Sequence, residues 1–223
     1  MKSALNRICF AGAISLLLAD VNSASLAETN TAAVRPTQRM ELFDGKSLSG
    51  WAAFANGTNT TAIWSVTNGV IHCLGKPSGY LRTIQPYCDY QLHIEWRWPD
   101  GPGNSGVFVH LNPPDKVWPL CFEAQLQSGN AGELRFNGGA KSKDLPAPDT
   151  KSFPHREPAS EKAIGAWNAC DIICRSNTIA IRINGVLQNE TIGTAVVAGA
   201  IALQAEGKPV EFRNITIEPL TEL

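Results

Sequence analysis

Apolar and polar residues alternate in steps of two along much of the chain, as strands with one dry and one wet face require. The clearest run is Tyr90 to Trp98. There Tyr90, Leu92, Ile94, Trp96 and Trp98 share one face, and Gln91, His93, Glu95 and Arg97 share the other. A second run sets Phe122, Ala124 and Leu126 against Cys121, Glu123, Gln125 and Gln127. A third sets Gln204 and Glu206 against Ile201, Leu203 and Ala205. Between the first two lies VFVHL, reached through the turn-forming stretch PDGPGNSG.

Shorter runs carry the same signal. Ile63 to Val66 and Val70 to Leu74 flank Asn68-Gly69, a dipeptide that favours a two-residue hairpin turn. Asn184-Gly185 plays the same part in NTIAIRINGVLQNE, and Gly79 to Thr83 is a further short strand. From Gly129 to Gly165 the alternation dissolves into Gly, Lys, Asp and Pro, which predicts one long loop of a kind that usually serves function. No sustained helical period follows the first thirty or so residues. Many short strands separated by Gly and Asn turns predict a single all-β domain, a sandwich or a barrel.

Composition narrows the partners. Of 223 residues, 43% are hydrophobic and 17% charged, so a packed core is expected. The formal net charge is −1 and no basic block occurs, which argues against nucleic acid and a charged membrane surface. A small-molecule or glycan partner gains weight by elimination.

The start of the chain predicts export. Lys2 and Arg7 precede an apolar run from Ile8 to Ala19, too short for a comfortable membrane span. Ser25-Leu26-Ala27 then offers the small residues a signal peptidase reads. Residues 1–27 are read as a cleaved signal peptide with no lipobox, 28–38 as a linker and 39–221 as the domain. The expected location is periplasmic or extracellular, with no membrane attachment after cleavage. Five cysteines remain after the leader, an odd number, so at least one stays free. Cys73 with Cys88 is a possible disulfide, and the others are expected to be small buried fillers.

Several stretches together resemble one family. LFDGKSLSGW at the start, IEWRW, GNSGVF, the Glu123-Ala124-Gln125 run, EKAIGAWN, INGVLQNE and the closing LQAEGKPVEFRNITI occur in its order. The chain from about Glu41 to Pro219 is similar to the 3-keto-disaccharide hydrolase domain family, formerly domain of unknown function 1080. The resemblance implies a concanavalin A-like jelly roll, two antiparallel sheets with a ligand groove on a concave face. It also implies cleavage of glycosides whose C3 hydroxyl has been oxidised to a ketone.

That chemistry has simple requirements. A C3 ketone acidifies the C2 proton, so a base can form an enolate and the C1 glycosidic oxygen can leave by β-elimination. Water then adds to the enone. The site needs a general base, a cation or donors for the enolate oxygen, and an acid for the leaving group. On the groove face the resemblance places Glu95, Arg97, Glu123 and Glu206 as catalytic candidates, with Gln125, Gln204 and His93 beside them. The base is Glu123 or Glu206; at Glu206 the chain departs from the family pattern, because many relatives carry His near that place. Arg97 would stabilise the enolate and Glu95 would orient or donate. Asn104 and Ser105 offer donors to sugar hydroxyls, Arg82 points to the groove, and Tyr80, Trp98 and Trp118 are candidates for stacking on a pyranose.

No cofactor is required by any spacing, although Glu95, Glu123, Glu206 and His93 are hard-ligand types that would suit a divalent cation. Two other functions fit the same fold: a carbohydrate-binding module without chemistry, and an ordinary retaining or inverting glycosidase.

Overall fold

The computed structural model describes residues 31–55 and 62–221. The signal peptide expected over residues 1–27 lies outside the described residues. Fifteen strands occur among them and no α-helix does.

The first sheet contains β1 (Met40–Glu41), β3 (Trp64–Thr67), β4 (Val70–Cys73) and β6 (Tyr90–Arg97). It continues with β11 (Asn168–Arg175), β12 (Thr178–Ile183), β13 (Val186–Ile192) and β15 (Val210–Pro219). Its order is β13-β12-β11-β6-β15-β4-β3, with β1 also paired to β15. The second sheet contains β2 (Trp51–Ala55), β5 (Gly79–Thr83), β7 (Gly106–Asn112) and β8 (Leu120–Gln125). With β9 (Leu134–Asn137), β10 (Ser152–Phe153) and β14 (Ala200–Ala205) it runs in the order β10-β9-β8-β7-β14-β5-β2. Every pairing between these strands is antiparallel. The fold is a concanavalin A-like jelly roll.

Alternation determines which side chains fill the space between the sheets. From β6 come Tyr90, Leu92, Ile94 and Trp96, all fully buried, and from β8 and β14 come Phe122, Ala124, Ile201 and Leu203. Burying each large apolar side chain contributes about 1.5–3 kcal/mol. Truncating Trp96 to Ala would leave a void at the centre and cost about 3–5 kcal/mol.

Both predicted hairpin turns are present. Asn68 and Gly69 have φ of 52° and 77°, Asn184 and Gly185 of 49° and 85°, the paired positive values that a tight β-hairpin needs. The long loop expected from Gly129 to Gly165 is broken by two short strands, β9 and β10. Four residues, Leu134-Arg135-Phe136-Asn137, alternate in and out there, too few to stand out among the surrounding Gly, Lys and Pro. Residues 31–38, read as a linker, hold on to the domain: Val34 bridges Tyr87, and Gln85 donates to the Ala32 carbonyl at 2.8 Å. The Cys73–Cys88 bond is not formed, and the cysteines among the described residues are free, four of the five buried.

Candidate functional site

The seven-stranded sheet turns one face inward to the core and the other outward, and the outward face gathers most of the expected site. Strand register lines its residues up in rows. Arg82 on β5 lies opposite Ala202 on β14, Ala202 opposite Phe108 on β7, Phe108 opposite Glu123 on β8, and Glu123 opposite Arg135 on β9. In the next row Tyr80 lies opposite Gln204, and Gly106 opposite Gln125. Glu206 follows β14 on the same face as Gln204 and bridges Asn104. One half of this face is an apolar patch of Tyr80, Phe108, Leu111, Cys121, Ala200 and Ala202 with Phe54 against it. The other half is amide and carboxylate.

Glu123 is the centre of the polar half. It is 1% exposed. Burial pushes its carboxyl up to about 7, against the opposing pull of Asn137 and the Arg135 charge. Asn137 Nδ2 donates to Glu123 Oε2 at 2.6 Å. Oε1 is buried and has no hydrogen-bond partner among the described residues. The Glu206 charge adds to the upward push on Glu123, and burial raises Glu206 as well, with Arg135 opposing. Two carboxyls that hold their protons unusually well, with one guanidinium near both, form an acid–base set.

Amides surround them. Gln204 is 2% exposed; among the described residues neither end of its amide makes a hydrogen bond of normal geometry, and its polar neighbour is the Glu206 carboxyl, which it helps to keep charged. Asn104 Oδ1 is likewise buried and unpartnered. Buried amide atoms left without a hydrogen bond cost about 1–3 kcal/mol each, so such groups together on one face make a candidate place for a polar ligand. Gln125 differs: its Oε1 accepts from the backbone N–H of Leu126 and Gln127, both at 3.0 Å.

At the far edge, Arg82 and Tyr80 are tied to Asp115 in the loop between β7 and β8. Tyr80 is fully buried with Phe54 stacked on it at 5.2 Å, so its ring cannot serve as a stacking platform. Trp118, on the same loop as Asp115, is 46% exposed and free to meet a sugar ring.

Other expectations are overturned. Glu95, Arg97 and His93 do not share the groove face with Glu123 and Glu206. They project from β6 on the outer side of the eight-stranded sheet, across the core from β8. There Glu95 accepts from Arg213 Nε at 2.6 Å, Arg97 donates to Glu211 at 2.5 Å, and His93 Nδ1 meets Asp171 at 2.6 Å. The guanidiniums of Arg97 and Arg213 lie 4.7 and 4.1 Å from the Trp167 ring centroid. This is a ladder of partly buried ion pairs between neighbouring strands, in which each charge is matched by another of the same outer sheet face. A cation site drawn from Glu95, Glu123, Glu206 and His93 fails for the same reason, because those four do not converge. Ser105 is fully buried with its hydroxyl donated to the Gln204 carbonyl at 2.8 Å, so it supports the sheet instead of a sugar. Trp98 is a core residue, 2% exposed.

The structure adds Arg135, Asn137, Gly106 and Asp115. Arg135 takes the position near the carboxylates that Arg97 was expected to fill. The only trace of it in the sequence is the short alternation inside a loop-like stretch.

Comparison with known proteins agrees with this architecture. Among solved structures the chain is similar to a candidate glycosyl hydrolase from Parabacteroides distasonis ATCC 8503, at 20% identity and a TM-score of 0.63, covering 82% of this chain and 94% of that one. It is also similar to the Bacillus licheniformis β-glucanase, at 14% identity and a TM-score of 0.55, covering 81% and 97%. The carbohydrate-binding module CBM66 of Bacillus subtilis matches at 14% identity and a TM-score of 0.54, covering 76% and 95%. These likenesses establish the fold. A comparison with curated proteins gives no match. The pattern of the 3-keto-alpha-glucoside-1,2-lyase-like domain matches residues 38–218, from the strand beside β15 to the last strand of the sheet. With that match over most of its length, the chain belongs to the 3-keto-alpha-glucoside-1,2-lyase-like domain family, a carbohydrate-active group.

Proposed function

We propose that this protein is an exported enzyme that cleaves 3-keto-glycosides by C2 deprotonation, β-elimination and hydration. The observation that carries this reading is Glu123, a buried carboxylate with one oxygen unpaired and a proton affinity set near neutrality. A base of that strength is matched to removing the acidified proton beside a ketone at ordinary pH.

In this scheme Glu123 takes the C2 proton and the C2–H electrons pass into the C3 carbonyl, giving an enolate. Arg135 stands near enough to both carboxylates to offset the developing charge. The enolate collapses, forming the C1–C2 double bond as the C1–O bond breaks. Glu206, also holding its proton above the usual carboxylate range, gives it to the departing oxygen. Water then adds across the double bond, its hydroxyl to C1 and a proton to C2, leaving a 3-keto sugar. Gln204 and Asn104 hold ring hydroxyls, and Trp118 offers a face to the aglycone side.

The test is a matched pair of substrates. Purified protein should cleave a 3-keto-glucoside, leave its unoxidised parent intact, and introduce solvent deuterium at C2 during turnover. Cleavage of both sugars would favour an ordinary glycosidase. Saturable binding without turnover would favour a binding module, to which the buried amide groups of Asn104 and Gln204 also lend support.

A further inference from the structure

The carboxylate of Glu123 has two oxygens in different circumstances, and two neighbours on adjacent strands make the difference. On β9, Asn137 donates its amide to Oε2 at 2.6 Å, a short contact for an N–H donor and typical of a charge-assisted bond. On β7, Gly106 lies beneath the other oxygen. A Cβ at Gly106 would overlap Oε1 and would stand 2.8 and 2.9 Å from Cγ and Cδ of Glu123. Gly106 does not have a positive φ, so its backbone does not demand glycine and only the space does. Oε1 itself is buried and unpartnered.

We propose that Asn137 and Gly106 are positioning residues that make Oε1 of Glu123 the proton-accepting atom of the site. Asn137 engages Oε2 and fixes the rotation of the carboxylate. Gly106 leaves the clearance that lets Oε1 lie across β7, towards β14 and the Gln204 amide. The substrate's C2–H then approaches from the β14 side of Glu123, while Arg135, on β9 at the other side of Glu123, faces the carboxylate across the strand pair. This rests on the function proposed above and adds which oxygen acts and what holds it there.

The assignment has an electrostatic signature independent of turnover. The Asn137 amide favours the charged form of Glu123, so removing it must raise the proton affinity of that carboxyl. A hydrogen bond to a charged group corresponds to a shift of about one to two pKa units. Side-chain carboxyl carbon NMR on the full chain, with the Glu123 resonance identified by its loss in Glu123→Gln, reads this directly. Asn137→Ala should move the Glu123 titration upward by about one unit or more, and Asn137→Ser, which can keep a donor, should move it less. Gly106→Ala should lower kcat by at least tenfold with KM nearly unchanged, because the added methyl displaces the carboxylate and not the sugar's hydroxyl contacts.

An unmoved Glu123 titration in folded Asn137→Ala overturns the assignment, as does full kcat in Gly106→Ala. A wild-type protein that leaves 3-keto-glucosides intact would instead sink the proposed function. In that case the titration still decides the role of Asn137, so the two failures are distinguishable.

Discussion

Arg82 grips Asp115 through two contacts of 3.0 Å, Nε to Oδ1 and Nη2 to Oδ2, while the Tyr80 hydroxyl donates to Oδ1 at 2.7 Å. The three groups join the loop between β7 and β8 to the face of the seven-stranded sheet. Burial and the Asp115 partner both keep the Tyr80 phenol protonated. Asp115→Ala takes one acceptor from the part-buried Arg82 guanidinium, which still donates to the Thr83 carbonyl, and takes the acceptor of the buried Tyr80 hydroxyl. We expect a loss of about 1–3 kcal/mol in chemical denaturation. KM should rise more than kcat falls, because Trp118 sits on the loop that Asp115 ties down. Unchanged stability and KM would show that the loop is held by something else.

Glu123 should decide both activity and alkaline stability. Glu123→Gln is expected to lower kcat by about three orders of magnitude, as losing a base that acts in the rate-determining proton transfer does. In the wild type the rate should climb as pH passes through about 7, where this carboxyl ionises. Stability runs the other way. The folded-state pKa lies above the ordinary value of 4.5, so the contribution is fully present below 4.5 and is lost as pH rises through about 7. At pH 8 the charged carboxylate should cost about 3 kcal/mol, and the Gln variant should be more stable than the wild type there. A variant no more stable at pH 8 than at pH 5, relative to wild type, would contradict the buried charge.

His110 should set the acid limit. It is fully buried in the core at a bulge, with φ of 51° turning it towards Tyr90 and Phe122. Its Nδ1 meets the Val196 carbonyl at 3.1 Å, and Nε2 has no partner. Burial lowers its pKa to about 4 from 6.5, so the unfolded chain binds a proton between those values that the folded one refuses. Stability should therefore fall from about pH 6.5 down to about 4, by about 3 kcal/mol from this group. His110→Asn, which tolerates the positive φ, should flatten that slope in urea titrations at several pH values.

Arg135 and Arg97 make a paired test of which face carries the chemistry. Arg135→Ala should lower kcat by about 10²-fold, the scale for removing a group that meets developing charge. Arg97→Ala should stay within about twofold of wild type in turnover while losing up to about 1 kcal/mol of stability with its Glu211 and Trp167 contacts. The reverse result would return the site to the eight-stranded sheet.

The difference between those two arginines shows where reading the sequence stops. The alternation in Tyr90 to Trp98 is long and rich in aromatics, so the wet face of β6 was legible down to each residue. Arg135 lies in a four-residue strand inside a stretch of Gly, Lys and Pro, too short for any periodic signal. Gln204 and Glu206 were rightly placed opposite Ile201 and Leu203. Ser105 and Trp98 were misplaced because a turn motif does not reveal which way its side chains close.

Local alternation by itself determined the longer strands, the turns at Asn68-Gly69 and Asn184-Gly185, and which side chains of those strands avoid the core. It could not determine in which sheet a strand lies. A sandwich has two outer faces on opposite sides, and Glu95 and Glu123 are equally polar and equally turned from the interior. Only the pairing of β6 with the distant β11 and β15, and of β8 with its neighbours β7 and β9, separates them. Backbone hydrogen bonds between strands, those of β6 to the distant β11 and β15 and of β7 to the distant β14 among them, make that choice, and they leave no periodicity in either strand.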